Sequence, residues 1–576
     1  MSRLHAVVLA VVVGAALAAP CQTGPASTPK PIGGLSFLDE VEVTVVNVDV
    51  FVRDRAGRPV GGLTASDFRV TQDGLEMPIS NFAELDREVI EHVLAEAPAV
   101  TPEAAPAPPP AEPVLRQVEV RPVYTVLYVD HENLNPIDRN RILRRVREFV
   151  TDNLRAPVQM MVVSYDRSLE VVQPFTDDAL AVNAALRDMT TVSGGRADRD
   201  SDRQEILERI QEAVADPASA EGDQGKGLQM RLRQQIMSFA EEEAMSVNYA
   251  IDSLREVMAM MSGLDGRKSI IYISSGLSMT PGIGLMHEYA SAFHDTAFLG
   301  RRSQVDRTHA FQSLTSTANG QEVSMYTIDA SGLNPLEGYG ADTRYGVTDA
   351  TASSMGTRDY QDSLTYMAEY TGGLAIVNTN DPSAGLELIR DDLFSYYSIG
   401  YTISASGDDR VHRIEVEIPV HPDYDVRYRR RFVEKSRETQ VQDRVFTSLM
   451  VDVTENPMEL ALSAAGAAPA SAERWTLPLH LSLPLSRVAL VPEGGDYVGR
   501  LVVFVGARQT DGRQSDMQRQ EHEIRVPADQ IAAAAERSFG IDLQLLLGAG
   551  QQRIGVGVLD LVTRQASYQR LVVSVP

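Results

Sequence analysis

The chain has 576 residues, 43% hydrophobic and 23% charged, with 53 Lys and Arg against 79 Asp and Glu and a formal net charge of −26. At roughly 150 residues per domain, this length allows about three or four domains, and the composition is that of a globular protein with ample chain for a core. The acidic balance excludes nucleic acid as the main partner, because phosphate binding needs a positive face, and it argues against docking on anionic lipid.

Residues 1–20 predict an export signal: a basic start, "MSRLH", an apolar core, "AVVLAVVVGAALAA", and a small-residue cleavage site at Ala16–Ala18. No later segment approaches the roughly 20 apolar residues that a membrane span needs. The expected location is therefore the periplasm, the outer-membrane surface or the medium. The single cysteine, Cys21, rules out an internal disulfide framework. Its place just past the apolar core makes it a candidate for lipidation, although Pro20 stands where Gly or Ala is usual. The alternative is plain signal cleavage that leaves a free thiol.

Next, "VEVTVVNVDVFVRD" (Val41 to Asp54) alternates at period two, as a half-buried strand does. With "DFRVTQDGLEMPISNFAEL" around the turn Asp73-Gly74, residues 38–90 predict a β-sandwich unit too small to stand alone. Residues 91–120 are a Pro/Ala-rich linker. From 121 to 393, the strands "YTVLYVD", "VQMMVVSYD", "KSIIYISSG", "VSMYTIDA" and "GLAIVN" alternate with helices, which predicts an α/β domain with a doubly wound, mostly parallel sheet. The helices expected are Pro136 to Leu154, Asp178 to Met189, and a long helical insertion within 200–262 that breaks around Asp216 to Gly227. Residues 394–435 return to period-two strands that would complete the first sandwich. Residues 440–576 read as a second β-sandwich, with short strands and no long helix.

Several motifs in order, among them "VNVDVFVRDRAGRPVGGLTASDFRVTQDG", "YTVLYVDHENL", "GRKSIIYISSGL", "VSMYTIDASGL" and "DDLFSYYSIGYT", resemble the bacterial von Willebrand factor A-related family over residues 38–435. The resemblance implies a von Willebrand factor A-like domain, and the similar strand character on either side of the α/β part predicts that it is inserted in a β-sandwich. It also implies a metal-ion-dependent adhesion site, in which a strand ends in Asp-x-Ser-x-Ser and Thr and Asp come from later loops. Asp130 matches the first aspartate, but the two serine positions hold Glu132 and Leu134. Arg196 falls where the threonine belongs, and Ser275 falls where the later aspartate belongs. The site implied is degenerate. No cofactor is expected, unless Glu132 and Asn133 supply substitute oxygens beside Asp130 for Mg²⁺ or another hard divalent cation. The loop Asp329 to Asp359 follows a strand and is long enough to be a recognition loop. Asp329, Asn334 and Asp342 join Arg196 and Ser275 as candidates on it and on the neighbouring loops.

Other arrangements are weaker. Asp130 also reads simply as a strand-end aspartate capping the next turn. In "HEYASAFHD" Ser291 stands where a zinc-protease helix needs its second histidine. The arginines of 139–147 read as a solvated helix face or a docking surface for an acidic partner. No phosphate loop, nucleophile elbow or CxxC pair occurs. The expected function is non-enzymatic: an exported adhesion-type protein that binds a protein partner at the cell envelope. The alternatives are a purely structural envelope scaffold and, more remotely, a hydrolase on the α/β frame.

Overall fold

The computed structural model describes residues 43–96, 121–215, 222–333, 350–404, 407–451, 453, 455–471, 474–509 and 513–576. The export signal, Cys21, most of the linker, Asn334 and Asp342 lie outside the described residues. The fold is mixed α/β with several sheets.

Strands β1 (Val43–Arg53), β2 (Arg69–Gln72), β3 (Leu75–Met77) and β4 (Ile79–Leu85) come first, followed by helix α1 (Arg87–Glu96). That helix occupies the start of the stretch expected to be linker, and Ile90 is buried in the α/β core. Strands β5 (Val123–Asp130), β6 (Val158–Tyr165), β7 (Leu169–Thr176), β8 (Arg267–Ser274), β9 (Val323–Asp329) and β10 (Ala375–Ile376) form one six-stranded sheet in the order β10-β9-β8-β5-β6-β7. All its pairings are parallel except that of β7, an antiparallel edge strand not foreseen from sequence.

Helices lie on both faces because alternate residues of buried strands point to opposite sides. Leu127 and Val129 pack with α2 (Pro136–Asn153), α3 (Ala179–Asp188) and α9 (Ser383–Phe394). Val126 and Tyr128 pack on the other side with α5 (Gly222–Met261), α7 (Thr308–Gly320) and α8 (Ala350–Thr371). Beyond these, α4 (Arg196–Ala215) and α6 (Ile283–Phe293) form a separate helical core with the first half of α5.

After the α/β part, β11 (Tyr396–Ser404), β12 (Arg410–Glu417), β13 (Asp425–Tyr428) and β14 (Arg431–Glu434) return to the first strands. β1 pairs with β11 and β13, β11 with β4, and β12 with β2, all antiparallel. Val46, Val48, Val50 and Val52 of β1 share one core with Ile399 and Tyr401 of β11 and with Ile414 and Val416 of β12. Residues on either side of the α/β part therefore bury each other.

The C-terminal strands pack in two sheets, with Leu477, Leu479 and Leu481 against Leu501, Val503 and Val556. The expectation of strand and turn alone from 440 needs correction here, because helix α10 (Arg437–Ser448) precedes them. Ser436 caps α10, and Val441 and Val445, four residues apart on one face, pack on Val502 and Phe504. The helix thus covers the outer face of a sheet whose strand Asp496–Gln509 is buried on both sides. Gly263, just past α5, lies so close to α10 that a Cβ there would sit 2.7 Å from Arg444 Cα.

Candidate functional site

The C-terminal edge of the six-stranded sheet gathers the candidate residues. β5 ends at Asp130, whose side chain caps a single 3-10 turn, His131–Asn133, by accepting from the Asn133 amide at 3.1 Å. Asp130 is fully buried. Oδ1 also accepts from Asn133 Nδ2 at 3.1 Å, and Oδ2 accepts from Asn133 Nδ2 at 2.9 Å, from Ser274 Oγ at 3.1 Å and from the Tyr272 hydroxyl. Burial pushes this carboxyl up from its usual range, against the hydrogen bonds from Tyr272, Asn133 and Ser274 that favour its charge. Both oxygens are occupied by donors.

Asn133 and Glu132 turn toward a different cation. Arg199, on the first turns of α4, donates from Nη1 to Asn133 Oδ1 at 2.6 Å. Its Nη2 reaches the Glu132 carbonyl at 3.3 Å, Glu132 Oε1 at 3.1 Å and Ser246 Oγ at 3.4 Å. The Arg199 and Glu132 side chains are only 16% and 11% exposed. The other Glu132 oxygen, Oε2, accepts from Arg167 Nε at 3.3 Å. Gly195 permits the approach, since a Cβ there would stand 2.6 Å from Glu132 Oε2. A guanidinium is planar, permanently charged and rich in donors, so one side chain can satisfy a carboxylate and an amide oxygen together.

Arg196 needs correction. It is the first residue of α4 rather than part of an open loop, and its guanidinium stacks over the Tyr360 ring at 4.5 Å. The helix begins at Arg196, four residues before the expected start of the helical insertion at 200. Its first turns carry little apolar periodicity, so only the contacts of Arg196 and Arg199 mark its start. Ser275 reaches the site through its backbone, donating to the Asn133 carbonyl at 3.2 Å. Asp329, at the end of β9, is occupied by Ser331 and by Gln361 Nε2 at 3.0 Å. Burial raises its carboxyl, against the hydrogen bonds from Ser331 and Gln361 that favour its charge. The expected recognition loop is also shorter than 329–359, because α8 takes its last ten residues. Gly356 inside that helix disguises it, while Leu364 and Met367 bury its later face.

Arg139 is a further correction to the solvated-arginine expectation. It is fully buried and donates to the carbonyls of Val192 at 2.6 Å and Thr190 at 2.9 Å, and to His131 Nδ1 at 3.0 Å. Burial, then the neighbouring Arg139, bring His131 down to about 4, so it stays neutral. Sequence reasoning missed Arg199, Tyr272 and Ser274. For Tyr272 and Ser274 a signal was present, since they share a strand face at period two, whereas no local pattern marks Arg199.

Among the described residues, no group of three or more His, Cys, Asp and Glu converges to hold a metal ion, and no helix is long and apolar enough to cross a membrane. No family model and no curated relative matches the chain. Among solved structures, it is similar to an aerotolerance-related membrane protein from Bacteroides fragilis, at 13% identity and a TM-score of 0.23, over 47% of this chain and 98% of that one. It is also similar to the vWF domain of the type V pili tip protein Mfa5 from Porphyromonas gingivalis, at 12% identity and a TM-score of 0.24, over 48% of this chain and 96% of that one. The PilB minor pilin of Streptococcus sanguinis follows at 10% identity and a TM-score of 0.23, over 49% of this chain and 62% of that one.

Proposed function

We propose that the protein is an exported, non-enzymatic binding protein whose von Willebrand factor A-like, doubly wound domain engages a protein partner at the cell envelope without a bridging metal. One observation carries the reading: the Arg199 guanidinium bonds the oxygens of Glu132 and Asn133 that a divalent cation would need. Asp130 does not fit a metal either, because protein donors fill both its oxygens. A hard cation would have to displace those donors and share the space with a buried positive charge. At an effective dielectric of 20, two unit charges 4 Å apart interact by about 4 kcal/mol, and a dication doubles that.

What remains for a partner is the rim. Arg167 is 79% exposed on Glu132, and Ile137, at the start of α2, is 80% exposed. An exposed cation and an exposed aliphatic side chain at this edge suit a protein surface that offers a carboxylate and an apolar contact. The reading includes no turnover. The sandwiches serve as the frame that carries this face.

The test is retention of the purified full chain on envelopes of the cells that export it, with and without chelator. Retention that survives the chelator and is lost in the double variant Ile137→Asp, Arg167→Ala supports the proposal. Retention that requires Mg²⁺ contradicts the metal-free part, and full retention of the double variant contradicts the choice of face.

A further inference from the structure

The opposite edge of the six-stranded sheet presents a different problem. There β5, β8 and β9 begin beside β1 of the first sandwich, around a solvent-open cleft with a cavity volume of about 50 Å³. In a chain of net charge −26, its lining carries Arg121, Arg267, Lys268 and Arg429 against two carboxylates, Asp49 and Glu322.

The charges fall into two groups. Asp49 Oδ1 accepts from Arg121 Nη2 at 3.2 Å, and Oδ2 accepts from Arg267 Nε at 3.0 Å. Glu322 Oε1 accepts from Arg429 at 3.2 Å, with Lys268 Nζ 3.8 Å from Oε2. Arg267 and Lys268 are consecutive on β8, so their side chains leave opposite faces of the strand and hold the two groups apart. Each group has one cation with donors to spare. The Arg121 guanidinium makes a single hydrogen bond among the described residues, to Asp49, and is one-third exposed. The Lys268 ammonium makes one, to the Leu264 carbonyl at 3.0 Å, with its side chain only 5% exposed. Burial holds that ammonium below the usual lysine range, against the opposing pull of Glu322, and two of its three donors have no hydrogen-bond acceptor among the described residues. By contrast Arg267, stacked 3.8 Å over Tyr396 and bonded to the carbonyls of Asp392 and Leu393, is fully engaged.

We propose that this cleft binds a small dicarboxylate, one carboxylate on Arg121 and the other on Lys268. Both donors line the one cleft, so a two-ended anion is the ligand class that would engage them together, whereas a single tetrahedral oxyanion would pair with one group. Charge-assisted hydrogen bonds are the strong kind, and the Lys268 donor is nearly buried. Such a ligand would join β8 to the segment that precedes β5, beside β1 of the first sandwich.

The experiment is calorimetric titration of the full chain, at constant ionic strength, with the dicarboxylates from succinate to adipate, and with acetate and inorganic phosphate. One dicarboxylate length should bind saturably at a single site, with acetate and phosphate weaker by at least about tenfold, or about 1.4 kcal/mol. Arg121→Gln, a partly exposed change that leaves the core intact, should weaken the preferred dicarboxylate about tenfold. Lys268→Gln should do the same, and Arg519→Gln, on the C-terminal strand Gln518–Pro527, should leave binding unchanged. No saturable binding by any dicarboxylate would overturn the proposal. So would phosphate binding as tightly as the best dicarboxylate, or Arg121→Gln binding like the wild type.

Discussion

The two edges of the six-stranded sheet use the same residues to opposite ends. At the C-terminal edge, Arg199 and Arg167 share one carboxylate, that of Glu132, and Asn133 and the Glu132 carbonyl take further Arg199 donors, leaving the buried cation satisfied by the chain itself. At the N-terminal edge, cations outnumber carboxylates around an open cleft, and Arg121 and Lys268 keep donors without acceptors. Arginine therefore closes a site where its acceptors are built in, and opens one where they are not.

Beside that cleft lies the most tightly enclosed ion cluster connecting the first sandwich to α9. Asp392, with its side chain 2% exposed, accepts from Arg53 at 2.7 Å and from Arg427 at 2.8 Å. Removing the shared partner of buried charges costs about 3–5 kcal/mol. Asp392→Ala should lose that much in urea unfolding, the largest effect expected. A loss below about 1 kcal/mol, the scale of an exposed pair, would break the contrast between cluster and cleft.

Acid should act at the C-terminal edge. His131 titrates near 4 in the fold against 6.5 in the unfolded chain, so the unfolded state binds more protons between those values. The stability that comes from keeping His131 neutral is complete above 6.5 and is lost as pH falls toward 4, by at most about 3 kcal/mol. Asp359 opposes this. Its carboxyl, bonded to the Thr280 amide and Ser278, is raised by burial, and further by Glu243, to about 6, so its contribution falls as pH rises from 3.8 through 6. Stability measured across that window should flatten in His131→Gln and steepen in Asp359→Asn. Unchanged slopes in both variants would remove this difference between the edges.

Smaller changes sharpen the comparison. Arg199→Ala leaves Glu132 with only the exposed Arg167 and should cost about 1.5–3 kcal/mol, the range for hydrogen bonds to charged groups. Arg167→Ala, at 79% exposure, should stay within about 0.5 kcal/mol while removing part of the binding rim. Equal losses in the two variants would mean that burial does not distinguish these arginines.

Much of the frame was legible in the sequence. The apolar runs at 124–130, 158–166, 268–276 and 323–330 coincide within about two residues with β5, β6, β8 and β9, because a strand buried on both faces leaves an uninterrupted apolar signature. α2 was equally clear, since its apolar residues recur at helical spacing and Asn135 caps it just ahead of Pro136. Asp130 as a strand-end cap was also legible, because a short polar side chain at that position bonds the amides of the following turn.

The satisfied site was not legible. Whether Arg139 or Arg199 points to water or to a buried acceptor depends on contacts more than 40 residues away in the chain, such as Val192 and Glu132, and no local pattern carries that. α10 escaped for the converse reason. Its apolar residues are few, because only one face rests on the sheet, and the strong strand patterns around it dominate.

The most direct test is the melting temperature of the full chain titrated with Mg²⁺, Mn²⁺ and Ca²⁺, in the wild type and in Arg199→Ala. A ion bound only to the native state at a hundred times its dissociation constant adds about 2.7 kcal/mol, easily seen as a shift. With the Arg199 guanidinium in the cation's place, none of the three should move the wild type, and Arg199→Ala should be the form that gains any response. A cation-dependent shift in the wild type that vanishes in Asp130→Asn would contradict this and restore a metal to the end of β5.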